Sequence, residues 1–118
     1  MPDPPWRIRL GAVAELDLAN ILKWTTENFG ARQARLYRTT LVHAIGELVN
    51  GPDIAGSKAR DEIMPGLRTL HIARHGRHGR HLLLYRVANG RVIEIGRILH
   101  DRMDLEGHLP FPMDADGE

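Results

Sequence analysis

Apolar residues recur along the first half of the chain with two different periods. In the segment WRIRL, Trp6, Ile8 and Leu10 alternate with two arginines, which is the period-two pattern of a half-buried β-strand. From residue 12 to residue 48 apolar positions recur every three or four residues, which is typical of amphipathic helices. The pattern predicts a strand followed by helices.

Gly30 separates two amphipathic stripes in this helical region. The first stripe consists of Ala14, Leu18, Ile21, Leu22, Thr25 and Phe29. The second consists of Ala34, Tyr37, Leu41, Ala44, Ile45 and Leu48, and the Asn-Gly-Pro sequence at 50–52 ends it. Glu15 and Asp17 suit the positive end of the first helix dipole. Because the connection is short, we expect an antiparallel helix hairpin with both stripes on one sheet.

Three β-like segments follow an aperiodic stretch at 51–66, which we interpret as an ordered loop. The segments are GLRTLHIARH, HLLLYRV and RVIEIGRILH, and Asn89-Gly90 between the last two favours a tight hairpin. The order β-α-α-β-β-β predicts an α+β fold, a small antiparallel sheet packed on an antiparallel helix hairpin. We expect the first strand to pair alongside the three-stranded meander. The other face of the sheet should be partly open, and function is expected there.

Length and composition limit the classes of protein. A chain of 118 residues forms one domain, and we expect a structured core at about 6–109 and a flexible tail at 110–118. Cysteine is absent, which excludes disulfides and thiolate metal sites. The N-terminus lacks the pattern of a signal peptide, and no apolar run approaches the roughly 20 residues of a membrane helix. We expect a cytoplasmic protein without a membrane segment.

Four histidines with spacings of three or four, His71, His75, His78 and His81, lie in the segment HIARHGRHGRH. Such spacings place metal ligands on one helix face, but this segment is predicted to be strand, turn and strand. It also lacks a nearby set of carboxylates that would complete a site. A solvated, basic hairpin tip is therefore favoured over a metal site, and no cofactor is expected.

The last strand ends in RILHDRMD, where apolar residues give way to arginine, histidine and aspartate. Three interpretations compete: a nuclease site, a surface that binds another macromolecule, and an ordinary polar strand end. In the third, Asp101 and Asp104 cap the strand end and pair with Arg97 or Arg102, which is worth about 1 kcal/mol at most if exposed.

A nuclease that cuts RNA through its 2′-hydroxyl needs a base, a cation for the phosphate and an acid for the leaving oxygen. Candidates for these roles on the open face are Arg68, Tyr85, Arg97 and His100, with Lys58 and Arg60 as further phosphate contacts. The alternative is structural. Arg68 and Arg97 would then pair with Glu94, Asp101 or Asp104, and Tyr85 would pack as a strand residue. His100 joins the set only if the last strand bulges or ends first.

Taken together, these motifs resemble the RelE/ParE superfamily of bacterial type II toxins, within it the ParE branch. The resemblance is carried by WRIRLGAVAELDLANILKWTTENFGARQARLY, PGLRTLHIARHGRHGRHLLLYRV and IGRILHDRMD, and it covers roughly residues 6 to 109. It implies a toxin that a cognate ParD-like ribbon-helix-helix antitoxin neutralises through a disordered tail. ParE-like members are associated with inhibition of DNA gyrase, whereas RelE-like members cleave mRNA on the ribosome.

The resemblance also suggests roles for particular residues. It implies target recognition by the C-terminal segment, through Arg97, His100, Arg102, Met103 and Asp104. It implies an antitoxin groove between the helix hairpin and the sheet edge, lined by Trp24, Leu36 and Leu41, although core packing is the favoured role of Trp24. A gyrase poison of this kind binds its target without catalysis and contacts operator DNA only through the antitoxin. The alternatives are a ribosome-dependent mRNA endonuclease and an inactive relative that binds antitoxin and assists autorepression.

Overall fold

Two helices pack on one face of a five-stranded sheet in the computed structural model, which describes residues 4–111. The strands are β1 (Arg7–Leu10), β2 (Lys58–Ala59), β3 (Arg68–His71), β4 (His81–Ala88) and β5 (Val92–His100). The helices are α1 (Ala12–Phe29) and α2 (Ala31–Glu47), and short 3-10 turns lie at Leu48–Asn50 and Leu105–Gly107. The predicted α+β fold is confirmed. Neither α1 nor α2 is long and apolar enough to cross a membrane.

The strands lie in the order β1-β5-β4-β3-β2. β3, β4 and β5 form the predicted antiparallel meander. β1 pairs alongside it as expected, but it runs parallel to β5, with Ile8 beside Ile93, so the sheet is mostly and not wholly antiparallel. The segment predicted as a loop at 51–66 contains β2, in which Lys58 pairs with Thr69. A strand of two residues is too short to show a period, which is why the sequence pattern missed it.

The two helices form the predicted antiparallel hairpin with a single residue between them. Gly30 has φ 91°, a conformation that favours glycine, and its N–H donates to the Thr26 carbonyl at the end of α1. α2 then begins at Ala31, and the next buried position is Ala34. This sharp reversal places both buried stripes on the same face of the sheet.

The core between hairpin and sheet corrects two sequence predictions. Leu41 is fully buried, so it belongs to the core and is not available to line an antitoxin groove. Trp24 is 58% exposed, which contradicts its expected role in extending the core. At about 100° per residue, Trp24 points away from the buried neighbouring position Thr25. Leu36, the third predicted antitoxin contact, is 54% exposed.

The opposite face of the sheet is not open in the way predicted, because the C-terminal segment of residues 105–111 packs on it. A second apolar cluster there contains Leu67, Leu84, Leu99 and Phe111, with Ile63, Met64, Leu82 and Leu105 beside it. The Arg86 guanidinium stacks 3.9 Å from the centre of the Phe111 ring. Pro110 and Phe111, which the sequence analysis assigned to a flexible tail, pack on the sheet in this structure, and residues 112–118 of that tail lie outside the described part of the chain.

A bulge at Gly96 changes which residues of β5 face the helices. Leu84 pairs with Arg97 whereas Tyr85 pairs with Ile95, so Gly96 has no partner of its own in β4. The bulge keeps Ile98 in the same core cluster as Ile95 although they are an odd number of positions apart. The absence of a side chain at Gly96 also allows the C-terminal segment to approach closely. A Cβ at this position would lie 2.6 Å from the Pro110 carbonyl oxygen.

Candidate functional site

The polar segment after β5 forms a tight turn that exposes two of the predicted recognition residues. The Met103 N–H donates to the His100 carbonyl (3.0 Å), and the Arg102 N–H donates to His100 Nδ1 (3.2 Å). These bonds hold the turn while Arg102 is exposed and Met103 is 40% exposed. The turn therefore presents a cation and a thioether side by side to solvent.

Arg97, predicted as a recognition residue, is bound within the fold. Its guanidinium donates to both carboxylate oxygens of Asp17 on α1, through Nε (2.8 Å) and Nη2 (3.1 Å). The Ile98 N–H donates to the same carboxylate (2.9 Å). Because both side chains of the pair are largely buried, Arg97 is a structural residue. In the structural alternative Arg97 paired with Glu94, Asp101 or Asp104, whereas its partner is Asp17, which thus does more than interact with the helix dipole.

Asp101 links the ends of β3 and β5. His71 Nε2 donates to its carboxylate (3.0 Å), while His71 Nδ1 accepts from the Ala73 N–H. The hydrogen bond from His71, with the positive charge of Arg80 nearby, holds the pKa of Asp101 below its usual value. Both ring nitrogens of His71 are engaged, so it is not free to act as a base or a metal ligand.

Asp104 caps the 3-10 turn that begins the C-terminal segment. Its carboxylate accepts from the Glu106 N–H (3.1 Å), and its carbonyl accepts from His108 Nδ1 (2.9 Å). The predicted pairing of Asp104 with an arginine is wrong, whereas its capping role applies to this turn. Asp104 thus fixes the direction in which the segment leaves the exposed turn.

Tyr37 on α2 connects the helix hairpin to the start of β4. Its hydroxyl accepts from the Arg80 N–H (3.0 Å), so its proton is directed to His81 Nδ1. Burial, followed by the charge of neighbouring His100, lowers the pKa of His81 to about 4. His81 is consequently neutral, and its ring packs edge-on against His100 with 5.4 Å between centroids.

The predicted basic hairpin tip is anchored on one side to α2. The Glu47 carboxylate accepts from Arg74 Nε and from His75 Nε2, both at 2.7 Å, and Arg74 also donates to the Ala55 carbonyl. Burial raises the pKa of Glu47, but these hydrogen bonds outweigh it and the net shift is downward. Within residues 4–111 there is no group of three or more side chains placed to hold a metal ion.

The four candidate nuclease residues do not converge on an open face. Arg68 Nε and the Tyr85 hydroxyl both donate to the Pro52 carbonyl, at 2.9 and 2.6 Å. Tyr85 is fully buried, and burial raises the pKa of its hydroxyl. His100 lies opposite His81, four positions from Tyr85 and therefore roughly 13 Å along the sheet.

Lys58 and Arg60 flank Ala59, the residue of β2 that pairs with Arg68. They line an outer groove of about 240 Å³ together with His71 and Asp101. Arg60 donates from Nε to the Thr69 hydroxyl (3.0 Å). The six candidate residues are thus divided among the Pro52 loop, the ion pair with Asp17, the start of β4 and this groove, and do not together surround one phosphate site.

Sequence reasoning missed the exposed apolar residues of α1 and the role of Asp17. Val13 and Leu16 are each more than half exposed, and a helical projection of the sequence places them on the same side of α1 as Trp24. The role of Asp17 had no such signal, because its partner lies 80 positions away in the chain.

Two solved structures of toxin-antitoxin systems share this arrangement of two helices on a mostly antiparallel sheet. A chain of the chromosomal ParDE toxin-antitoxin system from P. aeruginosa matches with a TM-score of 0.69 and 21% identity, over 83% of this chain and 98% of that one. A chain of the toxin-antitoxin complex RelBE2 from Mycobacterium tuberculosis matches with a TM-score of 0.55 and 22% identity, over 81% and 98%. This chain therefore shares its fold with chains from these two toxin-antitoxin systems.

Sequence comparisons identify the family within that fold. Residues 8–105 match the family described as the ParE toxin of the type II toxin-antitoxin system parDE. Toxin ParE1 of Mycobacterium tuberculosis (strain ATCC 25618 / H37Rv) is 37% identical over 103 residues, 87% of this chain and 97% of the relative. Toxin ParE of Escherichia coli is 33% identical over 100 residues, covering 85% and 89%. The chain belongs to the ParE family of type II toxins.

Proposed function

We propose that this ParE-family toxin acts in the cytoplasm by binding and poisoning DNA gyrase, with the turn at residues 101–104 as its target-recognition surface. The observation that carries the proposal is that the polar residues at the end of β5 differ in their exposure. Arg97 and Asp101 are bound within the fold, whereas Arg102 and Met103 are exposed on a hydrogen-bonded turn. Arginine is enriched in binding hot spots, and methionine adapts its shape to a partner.

A binding mechanism is favoured over RNA cleavage by the positions of the candidate catalytic groups. Arg68 and Tyr85 are hydrogen-bonded to one loop carbonyl, and His100 lies roughly 13 Å along the sheet from Tyr85. General acid-base catalysis needs its groups within hydrogen-bond reach of one reacting site. The proposed toxin therefore inhibits by occupying its target, and His100 and Asp104 contribute by shaping the turn.

We also propose a cognate ParD-like ribbon-helix-helix antitoxin as the neutralising partner. The solved relatives with this fold come from toxin-antitoxin systems, one named ParDE and one RelBE2. Trp24 and Leu36 remain exposed and are available to such a partner, while Leu41 is not. Operator DNA would be contacted by the antitoxin alone.

The test is a DNA gyrase supercoiling assay with purified toxin variants. Wild type should inhibit supercoiling, and Arg102→Glu and Met103→Ala should each raise the half-inhibitory concentration about tenfold or more, because hot-spot truncations weaken binding by that much. Arg7→Glu and Val87→Ala are matched controls, since Arg7 and Val87 are exposed residues outside the turn. Both controls should inhibit like wild type.

Circular dichroism and urea unfolding of every variant separate loss of binding from loss of fold. Wild-type potency in both turn variants would reject the turn as the target surface. An in vitro translation reaction, run in parallel, reads mRNA cleavage. Cut mRNA together with normal supercoiling would replace the gyrase proposal with ribosome-dependent cleavage.

A further inference from the structure

A positively charged groove crosses the sheet at the end that carries the exposed turn. Lys58 and Arg60 line it on the β2 side, and Asp101 lines it at the end of β5. Arg80 adjoins them, because its Nη2 lies 3.6 Å from the Asp101 carboxylate. Arg102, which is exposed, follows Asp101 in the turn. We call the surface formed by Lys58, Arg60, Arg80 and Arg102 around Asp101 the basic groove.

Positive charge in the basic groove exceeds the negative charge that could balance it. Its cations are grouped around the carboxylate of Asp101, which already accepts a hydrogen bond from His71 Nε2. Within residues 4–111, none of Lys58, Arg60 and Arg102 lies within 4.0 Å of a carboxylate oxygen. The whole chain has a formal net charge of only +1, so this excess is local. A local excess of positive charge attracts a polyanion.

The hairpin tip between β3 and β4 holds Arg80 in place from two sides. The Arg80 N–H donates to the Tyr37 hydroxyl on α2 (3.0 Å), and the Arg80 carbonyl accepts from the Asp101 N–H (2.8 Å). The other side of the tip is fixed to Glu47 through Arg74. The segment rich in histidine and arginine is thus an anchored loop. An anchored cation loses less conformational entropy when it binds a ligand.

We propose that the basic groove binds the phosphate backbone of double-stranded DNA. The proposal rests on the proposed inhibition of DNA gyrase and extends it, since the turn contacts the enzyme while the groove contacts the DNA that the enzyme holds. β2 and β5 are three strand spacings apart, about 14 Å, and duplex DNA carries about four phosphates per strand over that length. Arginine and lysine are the side chains that pair with phosphate oxygens. Phosphate contacts carry no sequence information, which leaves selection of the operator to the antitoxin.

The residues that line the groove favour a duplex over a protein or a single strand. Leu82 is the one large apolar side chain among the described lining residues, whereas protein-binding surfaces have apolar or aromatic anchors at their centre. None of these lining residues is Phe, Tyr or Trp, whose rings stack on the bases of single-stranded nucleic acids. A surface of cations without such anchors is complementary to the outside of a duplex, where the phosphates lie.

The experiment measures binding of the purified toxin to a fluorescently labelled DNA duplex by fluorescence anisotropy, without gyrase. With about four phosphate contacts, the logarithm of the binding constant should fall with the logarithm of the salt concentration with a slope of about −3 to −4. Lys58→Gln and Arg80→Gln each remove one contact, so each should make the slope less steep by about 1 and weaken binding about five- to tenfold at about 0.1 M salt. Arg7→Gln and Arg38→Gln are matched controls, because they remove the same charge from exposed positions of β1 and α2, outside the groove. Both controls should bind like wild type.

Loss of affinity and of salt dependence in the groove variants alone, with unchanged circular dichroism and urea unfolding, supports the groove. Absence of binding between wild-type toxin and the duplex at low salt overturns it. An equal loss in all four variants also overturns it, because binding would then depend on net charge and not on the groove. Tighter binding to single-stranded RNA of the same length than to the duplex would make the proposal wrong.

The gyrase assay separates failure of the groove from failure of the proposed function. Toxin that inhibits supercoiling but does not bind the duplex removes the groove and leaves the gyrase proposal intact. Toxin that binds the duplex through Lys58 and Arg80 but does not inhibit gyrase supports the groove and removes the gyrase proposal. If both proposals hold, Lys58→Gln should weaken inhibition of gyrase and Arg7→Gln should not. Equal inhibition by these two variants would overturn the role of the groove in binding the DNA held by gyrase.

Discussion

At the scale of single residues, Asp17 joins the first helix to the last strand. One carboxylate accepts three hydrogen bonds from β5, two from the Arg97 side chain and one from the Ile98 backbone. Ile98 follows the bulge at Gly96, where the regular ladder with β4 is interrupted. Asp17 therefore joins α1 to the part of the sheet that carries the exposed turn.

Replacing this carboxylate should destabilise the protein measurably. Asp17→Asn removes the charge opposite Arg97 and leaves a mostly buried guanidinium without its counterion. Breaking a fully buried pair costs about 3–5 kcal/mol, and the residual exposure of these two side chains reduces the expected loss to roughly 2–3 kcal/mol in the free energy of unfolding. Urea denaturation measures it.

Glu94→Gln is the matched control for that prediction. Glu94 also pairs with two arginines, Arg9 and Arg86, but those side chains are 56% and 44% exposed. Exposed ion pairs contribute about 0–1 kcal/mol, so this variant should stay close to wild type. An equal loss in both variants would contradict the structural role assigned to Asp17.

The sequence could predict what a residue does within its own element better than what it binds elsewhere. Asp17 was placed correctly in the first helix, where only the dipole was visible as a partner. Arg97 was correctly placed on the last strand, yet its assigned partners were neighbours in sequence. Long-range ion pairs of this kind leave no local period and no composition signal, so the structure was needed to find them.

At the scale of elements, the C-terminal segment can pack closely on β5 because Gly96 has no side chain. Pro110 and Phe111 cross β5 at Gly96, and a Cβ there would lie 2.6 Å from the Pro110 carbonyl oxygen and 2.9 Å from the Phe111 ring. A backbone atom cannot move aside as a flexible side chain can. Gly96 is therefore required for the segment to cover this face of the sheet.

Gly96→Ala should lower the free energy of unfolding by about 1–3 kcal/mol, the usual cost of overpacking. It should also speed hydrogen exchange or proteolysis in residues 105–111. Gly46→Ala is a control of opposite sign, because a Cβ at Gly46 meets nothing within 4 Å and the residue lies inside α2. That variant should gain roughly 0.5–1 kcal/mol from helix propensity. Similar effects of the two substitutions would count against the packing argument.

Elements with a clear hydrophobic period were predictable, and those defined by contacts were not. Both helices and the meander of β3, β4 and β5 follow from periods of 3.6 and 2. A bulge in the last strand, without a position, was considered from the sequence only as a condition for His100 to lie with the candidate nuclease residues; the structure places it at Gly96. The direction of β1 depends on its partner and not on its own pattern, and β2 exists because Lys58 and Ala59 meet β3.

At the scale of the whole molecule, the burial of His81 makes stability depend on pH. The pKa of His81 is lowered from 6.5 to about 4 in the folded chain by burial. The unfolded chain therefore binds more protons between these values, and stability rises with pH in that range. The contribution is complete above about pH 6.5 and is lost as the pH falls toward 4.

Between about pH 7 and pH 5 the expected loss is about 1–2 kcal/mol, allowing for the partial exposure of the ring. Urea midpoints at the two pH values measure it. The carboxyl groups of Glu47 and Asp101, whose pKa values are lowered, lose their contributions mainly below about pH 5, outside this window. His81→Asn removes the group whose pKa is lowered and should flatten the dependence; an unchanged slope would contradict the assignment.

Family and fold were both accessible from the sequence, whereas the surface available to partners was not. The order of elements and the three quoted motifs were sufficient for the ParE resemblance, which the family match confirms. Which polar groups stay free depended on contacts among distant residues, as Arg97 and Arg102 illustrate. Exposure of Trp24 and burial of Leu41 likewise depended on how the hairpin sits on the sheet.

The parallel pairing of β1 with β5 has a consequence for when the protein becomes harmful. Arg7 pairs with Val92, 85 positions later, and a chain leaves the ribosome from its N-terminus. β1 is thus made first and has no strand to join until β5 has been translated. Pairing across so long a separation also slows folding. The folded toxin can therefore form only after translation has passed β5 and the turn that follows it. This delay gives an antitoxin made at the same time an interval in which to be synthesised before the toxin is active.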